Sequence, residues 1–113
     1  MHKQMTTIAR VWKGRVRRGD ADVYADYIRE TGFAEYGRTP GNRGAWLLRR
    51  DEGDVTEFTT LSMWDSVESI RAFAGDPPEK ARYYPKDEEF LETFDPEVEH
   101  YEVVSKAWSG AAR

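Results

Sequence analysis

The sequence predicts an α+β domain with the element order β-α-β-β-α-β. Three observations carry this prediction. The short polar loop Asp51-Glu52-Gly53-Asp54 joins two strand-like runs and marks a hairpin. The second of those runs, Val55 to Trp64, leads straight into an amphipathic stretch that opens at Asp65-Ser66. A strand-then-helix pattern precedes the hairpin, and a further strand pattern follows the second helix, so the chain reads as two matching halves.

Thr6 to Val16 carries Ile8, Val11, Trp12 and Val16 and reads as strand one. Arg17-Arg18-Gly19 turns the chain, and Asp20 is placed to cap a helix. Val23, Tyr24, Tyr27, Ile28 and Thr31 recur at helical spacing, which predicts helix one over roughly residues 21–31, with Gly32 at its C-terminal end. Phe33 to Arg38 is a polar connector. Pro40-Gly41-Asn42-Arg43-Gly44 is a turn, and Ala45 to Arg50 is strand two. In helix two, Asp65 and Glu68 have capping-box spacing, Val67, Ile70, Phe73 and Ala74 form the apolar face, and Gly75-Asp76-Pro77-Pro78 stops it. Glu79 to Tyr84 is read as a further helical turn. Asp87 is read as the cap of a short helix from Glu88 to Thr93, and Val98 to Ser105 as strand four. This order is the split βαβ, or ferredoxin-like, antiparallel arrangement.

At 113 residues the chain is expected to form one domain over 1–113, with a core from about 6 to 105 and a loose tail from 106 to 113 that carries Trp108. Mean hydropathy is low at −0.81, yet 13% of residues are aromatic, which points to a small core built from large rings. There is no cysteine, so disulfides, thiolate catalysis and cysteine metal sites are excluded, and a cytoplasmic location is expected. No apolar run reaches the ~18 residues of a membrane helix, and the start Met1-His2-Lys3-Gln4 lacks a signal-peptide core. Residues 1–50 hold eleven Lys/Arg against five Asp/Glu, and residues 51–113 hold six against sixteen. The cluster Lys13, Arg15, Arg17, Arg18 is read as a solvated face opposite acidic partners, and no nucleic-acid partner is expected. The strands are apolar on both sides. Phe58 and Trp64 share one parity and Leu61 and Met63 the other, while Trp46 and Leu48 oppose Leu47. A bare second face would be an oversized apolar patch, so a homodimer joined sheet to sheet is expected.

Several short runs resemble the antibiotic biosynthesis monooxygenase family of dimeric α+β barrels. They are Ala9-Arg10-Val11-Trp12-Lys13-Gly14, Pro40-Gly41-Asn42-Arg43-Gly44, Ser62-Met63-Trp64-Asp65-Ser66, Phe73-Ala74-Gly75 and Val98-Glu99-His100-Tyr101-Glu102-Val103. The resemblance spans Ile8 to Val104. It implies a pocket between sheet and helices and a small-molecule substrate. It also implies a cofactor-independent monooxygenase that oxidises a small aromatic or polyketide-like compound with O2. Two alternatives remain open: a cofactor-free cyclase or isomerase using a histidine base, and a non-catalytic small-ligand-binding or stress-related dimer.

His100 lies in strand four with the parity of Val98 and Val104, a side expected to be mostly buried, and is assigned as the catalytic general base. The alternative is a half-buried histidine bonded to a neighbouring element. Tyr83 and Tyr84 follow helix two, where the resemblance places a pocket lid. Tyr84 is assigned as donor to a substrate oxygen, and Arg82 is a candidate for steadying an oxyanion. Trp64, Trp46, Tyr83 and Phe58 are candidate pocket walls, with core packing the default for the tryptophans. Arg49 and Arg50 alternate faces, and one of them is expected to pair with an acid such as Glu57. Two distant histidines and no cysteine speak against a transition-metal site, and helix two carries no histidine for haem. Gly41-Asn42-Arg43-Gly44 precedes a strand, so it is no phosphate loop.

Overall fold

A computed structural model of the chain describes residues 7–107. The expected loose tail beyond Ala107, with Trp108, and the terminus holding His2 lie outside those residues. The elements are strand β1 (Ile8–Arg17), helix α1 (Ala21–Ile28), helix α2 (Ala34–Arg38), strands β2 (Asn42–Glu52) and β3 (Val55–Trp64), helix α3 (Val67–Ala74), helix α4 (Asp87–Phe90), and strands β4 (Leu91–Phe94) and β5 (Glu99–Glu102). They build one antiparallel sheet in the order β2-β3-β1-β4, with β5 also paired to β1. This is the predicted ferredoxin-like α+β arrangement. Among the described residues, no helix is long and apolar enough to cross a membrane.

The edge strand differs from expectation. Helix 88–93 is only α4, and the chain turns extended at Leu91. β4 pairs Leu91 with Val16 and Phe94 with Gly14, and β5 pairs Glu99 with Val11 and Glu102 with Ile8. They run in one direction along one side of β1, so they are a single strand interrupted at Asp95–Val98. Pro96 has no N–H to give a ladder, which favours the break at this point. The segment 79–84 forms no helix. It leaves a turn at Glu79 and runs on irregularly, bridged Lys80 to Glu97 and tied by Val98 N–H to Glu79 O at 2.8 Å.

Helix one also departs from the prediction. The helical run continues past residue 31, through a π-type turn at Arg29–Phe33 and into α2. The Thr31 hydroxyl donates to Tyr27 O at 2.7 Å inside that turn, and Gly32 lies within it rather than ending the helix. Ala21, Tyr24, Ala25 and Ile28 form the buried face, while Val23 is exposed. Asp20 makes no side-chain cap. Ser66, not an Asp65–Glu68 box, caps α3 by accepting from Ser69 N at 3.1 Å.

Strand register sorts the side chains into two faces. Ile8, Arg10, Trp12, Gly14 and Val16 share a face with Trp64, Ser62, Thr60, Phe58 and Thr56. The helices cover this face through two aromatic clusters. One holds Val16, Tyr24, Ile28 and Phe58, the other Tyr36, Trp64, Ile70 and Phe73. On the opposite face Trp46, Leu48 and Tyr101 are about half exposed, at 50%, 48% and 52%. There Glu57 takes Arg15 at 2.6 Å and Arg50 at 3.3 Å, so the expected acid–arginine pair forms. Arg17 pairs with Asp20 and Arg18 with Asp51, which accounts for most of the basic cluster.

The turn at Gly41 couples the hairpin to α3. Gly41 has φ +93°, its carbonyl accepts Asp65 N–H at 2.9 Å, and a Cβ here would strike Ser69 and Asp65. Gly41→Ala combines a left-handed penalty with overpacking, so it should cost about 2–4 kcal/mol. Urea unfolding should show a lower midpoint at unchanged m-value; an unshifted midpoint would count against this account of the turn.

Candidate functional site

Between the two aromatic clusters lies a half-open cavity of about 50 Å³. Its sheet side is Arg10, Trp12 and Thr60. Its helical side includes Tyr24, Ile28 and the π-turn residues Thr31, Gly32 and Phe33, and the segment after α3 closes it with Arg82, Tyr84 and Asp87. The π turn therefore presents three successive residues to the cavity.

Tyr84 stands out because its hydroxyl is buried and has no hydrogen-bond partner. Burial pushes its pKa up to about 12, so it stays a neutral O–H donor. The Arg82 guanidinium lies 4.9 Å from the centre of the Tyr84 ring and 5.0 Å from that of Phe73, and it donates to Phe73 O at 2.8 Å.

Asp87 is the second unusual group. Sequence reasoning assigns it a capping role, but Lys86 occupies the cap position and Asp87 is buried at the start of α4. Its carboxylate accepts the Tyr24 hydroxyl at 2.9 Å and Tyr84 N–H at 2.7 Å. No cation pairs with it among the described residues, and burial raises its pKa against the pull of those two donors. The Tyr24 hydroxyl is itself pushed up by burial and by Asp87, so it holds its proton.

Arg10 is the third, and it is 3% exposed. An inward-facing charge between Ile8 and Trp12 breaks the apolar pattern of β1, a signal that the sequence carries. Its Nη1 donates to Pro78 O at 2.7 Å and lies 3.2 Å from His100 Nε2, and its Nη2 donates to Lys80 O at 3.0 Å. Burying a guanidinium costs several kcal/mol, and charge-assisted hydrogen bonds of roughly 1.5–3 kcal/mol each offset that cost.

The predicted site residues are only partly gathered here. Tyr84 and Arg82 line the cavity. His100 shares the helix-covered face, opposite Arg10 in the β1–β5 ladder, but does not line the cavity. Trp64 is fully buried behind Tyr36 and Phe73, with its indole N–H on Ser62 Oγ at 2.9 Å. Phe58 is packed against Tyr24 in the other cluster. Tyr83 sits outside the cavity against Trp12 and donates to Asp95 O at 2.9 Å. Trp46 is on the opposite face of the sheet, paired with Leu61, and so stands away from this cavity. Among the described residues no three His, Asp or Glu side chains gather as a metal set.

No family model matches the sequence, and no curated protein matches it. Solved structures do. A candidate antibiotic biosynthesis monooxygenase from Bacillus cereus is 14% identical with a TM-score of 0.64, covering 92% of this chain and 99% of its own. A second candidate of that name from Chloroflexus aurantiacus is 22% identical with a TM-score of 0.53, covering 92% and 97%. A protein of unknown function from Nitrosomonas europaea is 14% identical with a TM-score of 0.67, covering 95% and 98%. The shared feature is the fold. At these identities the resemblance read from the sequence holds at the level of architecture.

The Arg10–His100 contact makes a prediction of its own. A guanidinium only donates, so His100 Nε2 is the acceptor and the ring proton is on Nδ1. Burial first, and Arg10 second, lower the His100 pKa from 6.5. The neutral ring is favoured in the folded state, so its contribution to stability is present above pH 6.5 and is lost as pH falls through the lowered value. Nitrogen NMR should find the Nδ1–H tautomer and a midpoint below 6.5; an Nε2–H tautomer would contradict the geometry.

Proposed function

We propose that the protein is a cofactor-independent oxygenase that oxidises a small, flat phenol or enol with O2 in the cavity between sheet and helices. The observation that carries this reading is the buried, unpartnered hydroxyl of Tyr84, a residue that lines an aromatic-rich cavity. An unsatisfied buried hydroxyl costs roughly 1–3 kcal/mol, and a ligand oxygen relieves that cost. The fold shared with candidate antibiotic biosynthesis monooxygenases supports the reading by analogy.

In this reading Asp87 accepts the substrate proton. It is a buried carboxylate of raised pKa with no cation attached, so it is a stronger base than a surface acid. His100 is committed to Arg10 and acts as its positioning residue. Tyr84 donates to the substrate oxygen that gains negative charge. The substrate anion passes one electron to O2, and the carbon radical and superoxide combine as a peroxide. The proton returns from Asp87, and loss of water turns a ring CH2 into a carbonyl. One oxygen atom enters the product and the other leaves as water. The cavity of about 50 Å³ is smaller than the ~150 Å³ that admits benzene in an apolar core. A substrate therefore enters edge-on, with the rest of the molecule toward the mouth.

We further propose a homodimer through the open sheet face, because Trp46, Leu48 and Tyr101 leave an apolar surface there, and a cytoplasmic setting, which a cysteine-free chain suits.

An oxygen electrode with a panel of quinols, anthrones and single-ring phenols tests the activity. One O2 should disappear per substrate. Asp87→Asn should lower kcat by roughly 10²-fold or more, and Tyr84→Phe by roughly 10–10²-fold, given what one oxyanion donor is worth. Equal turnover without O2 would favour the cyclase or isomerase, and binding without turnover the non-catalytic dimer. For the assembly, light scattering should give twice the chain mass, and the double variant Trp46→Glu, Leu48→Glu should run as a folded monomer. A wild-type monomer would refute the dimer.

A further inference from the structure

Arg10 has an unusual charge environment. It is a nearly fully buried cation, and no carboxylate among the described residues forms an ion pair with it. Glu79, the acid beside the loop carbonyls that hold it, is exposed and stays outside ion-pair range. Three of the five guanidinium N–H groups are engaged, by Pro78 O, Lys80 O and His100. Two remain, on Nε and Nη2. Those bonds also fix the group in place, so it is held ready without being neutralised. Arg82 adds a second positive charge at the rim, offset at 4.0 Å by Glu35. Asp87 is the one acid in the lining, and it already accepts two hydrogen bonds.

We propose that the cavity takes its ligand as an anion, a small planar ring whose negatively charged oxygen lies against the Arg10 guanidinium and accepts from the Tyr84 hydroxyl. The two groups supply what such an oxygen requires: a fixed cation with unspent N–H groups, and a neutral O–H donor without a partner. A neutral ring would leave Arg10 uncompensated in a site from which it displaces water, so the cavity holds it more weakly, and the protonated substrate of the oxygenase reading is held firmly only once Asp87 has taken its proton. Phenolates, enolates and ring carboxylates share the required chemistry. The inference rests on this cavity being the working site, as in the oxygenase reading, but its test needs no turnover.

Calorimetric titration of the full chain with benzoate and with benzamide compares an anion with its neutral analogue. A phenolate probe is 4-nitrophenol, read by its visible absorbance at a pH where the free phenol is mostly protonated. 4-Nitroanisole is the neutral control. Benzoate should bind on the order of tenfold or more tightly than benzamide, the worth of one charged hydrogen bond, and bound nitrophenol should turn yellow as the phenolate. Arg10→Gln should abolish both effects, and Tyr84→Phe should weaken them while leaving their sign. A preference for benzoate alone assigns a carboxylate, and one for nitrophenolate alone assigns a phenol or enol; either supports the anion. Benzamide binding as well as benzoate with nitrophenol staying colourless, or no binding by any of the four, overturns the proposal. This comparison on the wild-type chain decides the matter even if Arg10→Gln does not fold. Anion preference without oxygen uptake would leave this inference standing and remove the oxygenase; oxygen uptake with a neutral preference would do the reverse.

Discussion

The Arg10 guanidinium is the interaction on which the site depends. It joins three parts of the chain that are far apart in sequence, with separations of 68, 70 and 90 residues to Pro78, Lys80 and His100. β1 is the central strand, paired with β3 on one side and with the broken edge strand on the other. A residue on its covered face is thus the natural anchor for the segment crossing over from α3. That segment carries Arg82, Tyr84 and Asp87, so fixing its start on Arg10 and its end on Tyr24 sets the cavity wall at both ends. Loop residues that carry chemistry need such ties to rigid elements.

The cavity exists because two aromatic clusters meet imperfectly. Tyr24 packs edge-on against Phe58 and tilted against Phe90, Tyr36 meets Trp64 edge-on and stacks on Phe73, and Phe33 packs against both groups. Large rings fill volume in coarse steps, and the gap between them falls where the helical run widens into its π turn. Such turns shift the side chains that follow out of simple helical phase. Here the shift brings Thr31, Gly32 and Phe33 in succession to the cavity. Gly32 matters because a Cβ there would already reach van der Waals contact with the Tyr84 ring, at 3.7 Å.

Much of the architecture was legible in the sequence, because hairpin loop, strand parity and amphipathic helices are local signals. The parity of Phe58 and Trp64 against Leu61 and Met63 is the parity of the sheet faces. The edge strand was half legible: β5 falls within the strand expected over 98–105, and β4 was missed. Glu88 to Thr93 has helical composition and ends extended only because Leu91 and Phe94 find β1, a tertiary effect. The site was harder still. Tyr84 and Arg82 could be placed only through the resemblance, which puts a pocket lid after α3, while Trp64 and Phe58 are drawn into core clusters and Trp46 onto the other face. Asp87 has the same local signature as an ordinary cap, and its burial comes from Tyr24, 63 residues away. Arg10 was visible in principle, as a charge at an inward position of β1, yet its meaning depends on carbonyls that no sequence pattern locates.

The interruption at Asp95–Val98 has a consequence beyond the site. An outer strand with a long run of free backbone groups is a template on which another chain can extend the sheet, and fibrous aggregation follows from that. Here the outer strand offers two four-residue pieces, β4 and β5, separated by a proline-containing excursion whose backbone is already engaged with residues 79–81. No continuous ladder is left for a foreign strand to copy. The same kink that lets residues 79–84 reach across the sheet thus guards the molecule against growing by accretion at this border.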